Sequence, residues 1–220
     1  MKFFSRFKKP EPPPWSPAEF WQWFQRDAVQ NALLSLGRQH TPESQQAAEE
    51  IKNALQRVNP DLVWGLVPAG DDGTPGRFEV SAGGIRDLIP VVEAVVATAP
   101  EMTAWKVVAF RQPSTDFCLK LSPDDAGISG TNVTCRITRQ PDGLLDLDVY
   151  LPVPSDTKQA SLGQLGFIVL DHTLGEYVVM TRIGELEFHS SASAPPSAIP
   201  VQELAATLLA DPAPKPGVRD

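Results

Sequence analysis

Apolar positions along this chain change period several times, and the changes mark out its elements. From Phe20 to Leu36 they recur at helical spacing: Phe20, Trp21, Trp23, Phe24, Ala28, Val29, Ala32, Leu33 and Leu36. The start is well signalled. Ser16 suits an N-cap, Pro17 the first helical position, and Glu19 the far side of a capping box, with Trp15 placed to staple onto Phe20. Gly37 ends this helix. Thr41-Pro42 opens a second, with Ile51, Leu55 and Val58 on one face and Asn59-Pro60 as its stop. The two form an expected N-terminal helix pair.

Period two takes over at Asp61. Leu62–Val67 and Arg77–Ser81 flank the turn-rich stretch Asp71–Gly76 and are expected to pair as a hairpin. Gly83-Gly84 then turns the chain into a largely apolar helix over Asp87–Ala99. Trp105–Arg111 is apolar on both faces and reads as a central strand; if it runs parallel to Arg77–Ser81, the crossover between them is right-handed. Phe117, Leu119 and Leu121 alternate with polar residues as a further strand.

The next hairpin fixes its own register. Gln140-Pro141-Asp142-Gly143-Leu144 supplies a turn, with proline presetting one bend and glycine taking the left-handed position. Counting outward pairs Thr138 with Asp146, Arg136 with Asp148 and Thr134 with Tyr150 on a polar face. Ile137 with Leu147 and Cys135 with Val149 fall on an apolar face, and a slip by one residue would exchange the faces. A helix follows over Thr157–Leu174, stopped by Gly175. Tyr177–Arg182 alternates as a strand, and Leu186 and Phe188 anchor another.

The sum is an α+β domain with a single, mostly antiparallel sheet of about seven or eight strands, carrying the N-terminal helix pair and two further helices. The domain spans 15–190. A disordered tail over 1–14 precedes it. A linker and short helix over 191–209 follow, then a disordered tail over 210–220.

Composition narrows the class. Four of the nineteen cations lie in the first nine residues, so with a net charge of −8 the remainder stands near −12. That repels nucleic-acid backbones. Lys2, Arg6, Lys8 and Lys9 interleave with Phe3, Phe4 and Phe7, a pattern compatible with weak membrane-surface contact by residues 2–9, worth about 1 kcal/mol per cation at an anionic leaflet. No run is long enough to span a bilayer. Two cysteines without a CxxC spacing make no disulfide framework and agree with a reducing cytoplasm.

Candidate chemistry is sparse. Gly83 and Gly84 between strand and helix, with Arg86 beside them, are a candidate anionic-ligand site, although no phosphate-loop spacing is present. Trp21, Trp23 and Phe24 crowd one helix on more than one face, which reads as a helix packed into the core on two sides or as a candidate interaction surface. Asp171, His172 and Glu176 cluster locally but offer too few ligands for zinc, and the helix C-terminus favours a cationic His172. Nothing places Cys118 beside a histidine. No catalytic residue, metal site or cofactor is assigned.

Several phrases occur together: Phe20-Trp21-Gln22-Trp23-Phe24, Glu79-Val80-Ser81-Ala82-Gly83, Ala99-Pro100 before Trp105, Ala109-Phe110-Arg111, and Leu170-Asp171 before Leu174-Gly175-Glu176. The combination resembles a group of uncharacterised bacterial proteins over roughly residues 18–190. The resemblance implies a bacterial cytosolic α+β protein and carries over no activity and no site. The reading that fits these features is a non-enzymatic protein-binding module, adaptor or immunity-like. The alternative is a small-molecule enzyme or sensor using the Gly83-Gly84/Arg86 turn for an anionic ligand.

Overall fold

The computed structural model describes residues 13–36, 41–70, 72–121 and 127–210. The basic stretch over residues 2–9, Gly37 and the C-terminal tail from Asp211 lie outside the described residues.

Three helices open the chain, not two: α1 (Pro17–Phe24), α2 (Asp27–Leu36) and α3 (Pro42–Gln56). The capping box forms as the sequence implies, with Glu19 N donating to Ser16 Oγ and Ser16 N to Glu19 Oε2. A turn at Gln25–Arg26 separates α1 from α2, and the Gln30 side chain donates to the Phe24 carbonyl that the break frees. The break lets α1 sink Phe20, Trp21 and Phe24 into the core while α2 packs on α3. Periodicity alone does not register such a bend, because both segments keep the same helical spacing.

The first sheet contains β1 (Val63–Val67), β2 (Gly76–Ser81) and β3 (Trp105–Ala109) in the order β1-β2-β3. β1 and β2 pair antiparallel, with Trp64 opposite Val80 and Leu66 opposite Phe78. β2 and β3 pair parallel, joined through a 3₁₀ turn (Arg86–Leu88) and α4 (Ile89–Ala97). The centre is β2, and Trp105–Ala109 lies at an edge. An apolar run reports that both faces of a strand are covered; it says nothing about neighbours in the hydrogen-bonding direction.

The second sheet contains β4 (Thr134–Arg139), β5 (Leu145–Leu151), β6 (Ile183–Ser190) and the short β7 (Ile199–Pro200), in the order β6-β5-β4-β7. The β4–β5 hairpin has the register its turn dictates, including Arg136 opposite Asp148 and Cys135 opposite Val149. β6 runs parallel to β5, so both sheets are mixed. The architecture is thus α+β with two sheets of three and four strands, in place of the single large sheet expected. Between β3 and β4 the only pairing among the described residues is the Leu119–Ile128 bridge, so no strand joins the two sheets. Phe117–Leu121 does not form the expected strand. Phe117 lies flat on His172, and Cys118 Sγ packs against Gly127, so these side chains are engaged one at a time and not along a ladder.

Two helices connect the layers. α5 (Gln159–Leu174) lies on the second sheet, and Gly166 admits the Phe188 ring where any Cβ would collide with it. Gly175, with φ of 88°, turns the chain into α6 (Glu176–Arg182), a segment whose alternation suggested a strand. Glu176, Val179 and Met180 are buried, which is helical spacing. Finally α7 (Val201–Ala210) buries Val201, Leu204, Ala205 and Leu208 against α5. Two apolar cores result. One gathers α1–α4 and the first sheet, with Met180 reaching in from α6; the other gathers the second sheet, α5 and α7. No described helix is long and apolar enough to cross a membrane.

Candidate functional site

The two cores meet at a polar junction. Its centre is Glu176, fully buried at the start of α6. Glu176 Oε1 accepts from Ser81 Oγ at 2.9 Å and from Gly84 N at 3.3 Å, and Oε2 accepts from Arg111 N at 2.9 Å. Glu176 N in turn donates to the Arg111 carbonyl. Phe110, just before, has φ of 65°, a left-handed conformation that is costly for a residue with a side chain. That conformation turns the chain at the end of β3 and aims both main-chain groups of Arg111 at Glu176.

The Gly83-Gly84 corner therefore has an anion beside it, and the anion belongs to the protein. Both glycines sit at positive φ, 60° and 84°, which is where their lack of a Cβ is needed. Gly83 N donates to Ser81 Oγ, and Gly84 N to the Glu176 carboxylate. The Arg86 guanidinium donates to the Ile183 carbonyl and ties the corner to the start of β6. The sequence marks a sharp glycine corner and offers it only as a candidate anion site; the group that meets Gly84 N lies 92 residues away.

Two more carboxylates border the junction. Glu79, nearly buried on β2, takes hydrogen bonds from Arg77 Nε at 2.9 Å and Gln112 N at 3.2 Å. It faces Gly65, where a side chain would strike its carboxylate. Asp171 takes Arg111 Nη1 at 2.8 Å. Burial, reinforced by the Glu176 charge and opposed by Arg111, pushes the Asp171 carboxyl up to about 6. The folded protein thus holds this proton at pH values where the unfolded chain has lost it. The stability from this group is complete below about pH 4 and is lost as pH rises through about 6, in total about 3 kcal/mol. We expect the stability of the wild type relative to Asp171→Asn to fall by about 2 kcal/mol between about pH 4.5 and 7.5 in urea unfolding. A difference that stays flat with pH would show an Asp171 ionised throughout.

His172 does not join these groups as a ligand. Its ring stacks on Phe117 at 4.0 Å and 10°, and burial, with the charges of Arg111 and Arg77, lowers its pKa. Desolvation outweighs the pull of the helix C-terminus toward a cation. Cys135 is buried in the second core and its thiol is pushed up to about 11, the state of an inert packing residue. Of the aromatic group on α1, Trp21 and Phe24 are core residues, and Trp21 Nε1 donates to the Val95 carbonyl at 2.8 Å. Trp23 alone of the three is half-buried, beside Trp15, over which the Arg57 guanidinium lies at 4.0 Å.

A cleft opens at the surface beside α5 and α7. Its volume is about 480 Å³, within the usual range for ligand sites. The chain leaving Arg111 forms one wall, from Pro113 to Cys118; residues 129–131 form another; Thr173 of α5 and Gln202, Ala205 and Ala206 of α7 close it. Ser114 N donates to the His172 carbonyl, which ties the first wall to α5. The polar groups are almost all neutral hydroxyls and amides, and Asp116 is the one charged side chain among the lining residues. No sequence signal marked the cleft, since its walls come from separate stretches of irregular chain and two helices. The chain matches no protein-family model, no curated protein and no solved structure.

Proposed function

We propose that this chain is a non-enzymatic binding protein, an adaptor or immunity-like module of a bacterial cytoplasm, and that its partner inserts a short peptide segment into the cleft beside α7. The observation that carries this reading is the lining of the cleft. Phe117, Pro113, Ala205 and Ala206 offer apolar contact, hydroxyls and an amide offer hydrogen bonds, and Asp116 supplies negative charge in a protein of net charge −8. Such walls suit an apolar side chain flanked by basic residues and disfavour an anion. An anionic ligand at Gly83, Gly84 and Arg86 would instead have to displace the buried Glu176 carboxylate from Gly84 N.

Ala206 lines the cleft from the exposed side of α7, so tryptophan there fills the space without entering the core. Peptide display against the wild type, with counter-selection against Ala206→Trp, is expected to enrich sequences with an apolar anchor and basic flanks. They should bind the variant at least about tenfold more weakly, the cost of one lost anchor. Recovery only of peptides that bind both proteins equally would overturn the cleft as the docking site.

A further inference from the structure

The polar face of the second sheet carries a group that the cleft does not use. The β4–β5 hairpin sets Arg136 opposite Asp148, and the parallel pairing of β5 with β6 sets Asp148 opposite Glu187 and Tyr150 opposite His189. Opposed residues project to the same side of a sheet, and so do residues two apart on one strand. The register alone therefore brings one imidazole and two carboxylates together.

Their atoms converge. His189 Nε2 lies 3.7 Å from Asp148 Oδ1 and 3.6 Å from Glu187 Oε2, and the three ligand atoms all fall within 4.8 Å of one another. Both contacts are too long for hydrogen bonds. They are close to the separation of about 3.4 Å between ligands of a tetrahedral ion with bonds near 2.1 Å. Neighbouring groups hold two of the three in place. Arg136 Nε and Nη2 grip Asp148 Oδ2 at 2.7 and 2.6 Å, leaving Oδ1 turned to the centre, and the Tyr150 ring stacks on His189 at 5.3 Å and 26°. Oriented ligands of this kind are what metal sites require of their surroundings. Arg136 also places a cation nearby, which weakens binding without altering the geometry.

We propose that Asp148, Glu187 and His189 bind a divalent transition-metal ion of the zinc class. One imidazole nitrogen with carboxylate oxygens suits zinc, cobalt or nickel; calcium takes six to eight oxygens, and magnesium needs near-octahedral oxygen ligation. Three protein ligands leave one tetrahedral position open. His189 also borders a shallow hollow whose lining includes Ser155, Thr157 and Ser193.

The test uses the full chain after chelator treatment, titrated with Zn²⁺ by calorimetry and with Co²⁺ by absorption spectroscopy. One ion per chain is expected, with a cobalt spectrum of nitrogen and oxygen ligation. His189→Ala and Glu187→Gln should each weaken binding by about tenfold or more. The Glu187 side chain is 72% exposed, so its variant reads the site with the fold intact. Absence of binding would overturn the proposal. So would affinity unchanged in both variants, or a thiolate charge-transfer band, which would put the ion on a cysteine.

Discussion

Glu176→Leu is expected to lower the stability of the protein by about 3–5 kcal/mol in urea unfolding, although leucine is the more hydrophobic residue. A buried ion pair can sometimes be exchanged for apolar residues without loss, because both partners can be replaced together. Here two of the three groups bound by the carboxylate are main-chain N–H groups, of Gly84 and Arg111, and no substitution removes them. They would stay in the junction without their acceptor, as would the Ser81 hydroxyl. Glu176→Gln keeps the shape and one acceptor oxygen but turns an NH₂ group toward donors, so it should recover only part of the loss. Because the same carboxylate links the 81–84 corner, the end of β3 and α6, we also expect unfolding to become less cooperative, seen as a lower m-value. A cost below about 1 kcal/mol would mean that water or a rearranged side chain replaces the carboxylate.

Trp21→Ala is expected to cost about 3–5 kcal/mol, and Trp23→Ala, two residues along the same helix, about 1 kcal/mol or less. Trp21 is 2% exposed, and its ring meets Phe20, Phe24 and Phe78 with centroids 4.8 to 6.3 Å away. Removing it empties the middle of the first core. The Val95 carbonyl it bonds would still accept from Thr98, so the loss comes mainly from packing. Trp23 lies half-exposed beside Trp15 and has less to lose. Chemical denaturation of the two variants decides between them. Equal costs would place both rings in the core and leave α1 without an accessible aromatic.

Where local chemistry is complete, the sequence predicted the fold residue by residue. The Ser16–Glu19 capping box, the Thr41-Pro42 start and the Pro141-Asp142-Gly143 turn each draw on residues at most a few positions apart. The β4–β5 register follows from that turn and from one apolar face, and the structure reproduces it. Errors arose where a segment's state depends on distant partners. Tyr177–Arg182 alternates like a strand, yet Gly175 and the hold of Arg111 and Ser81 on Glu176 start a helix there. Trp105–Ala109 has the apolar content of a central strand and lies at an edge.

The candidate sites divide in the same way. The sequence by itself determined the polar row Arg136–Asp148, because hairpin pairing is local, but Glu187 and His189 join it only through the parallel pairing of β6. It determined that Gly83-Gly84 is a sharp corner exposing main-chain N–H groups, since that is a property of two adjacent residues. Only the tertiary structure decided what those groups bind, by bringing Glu176 across 92 residues of chain. Only the tertiary structure opened the cleft, whose walls are far apart in sequence. Spacing along a chain encodes period and turn; it does not encode which buried groups meet, because that is set by how the two cores pack together.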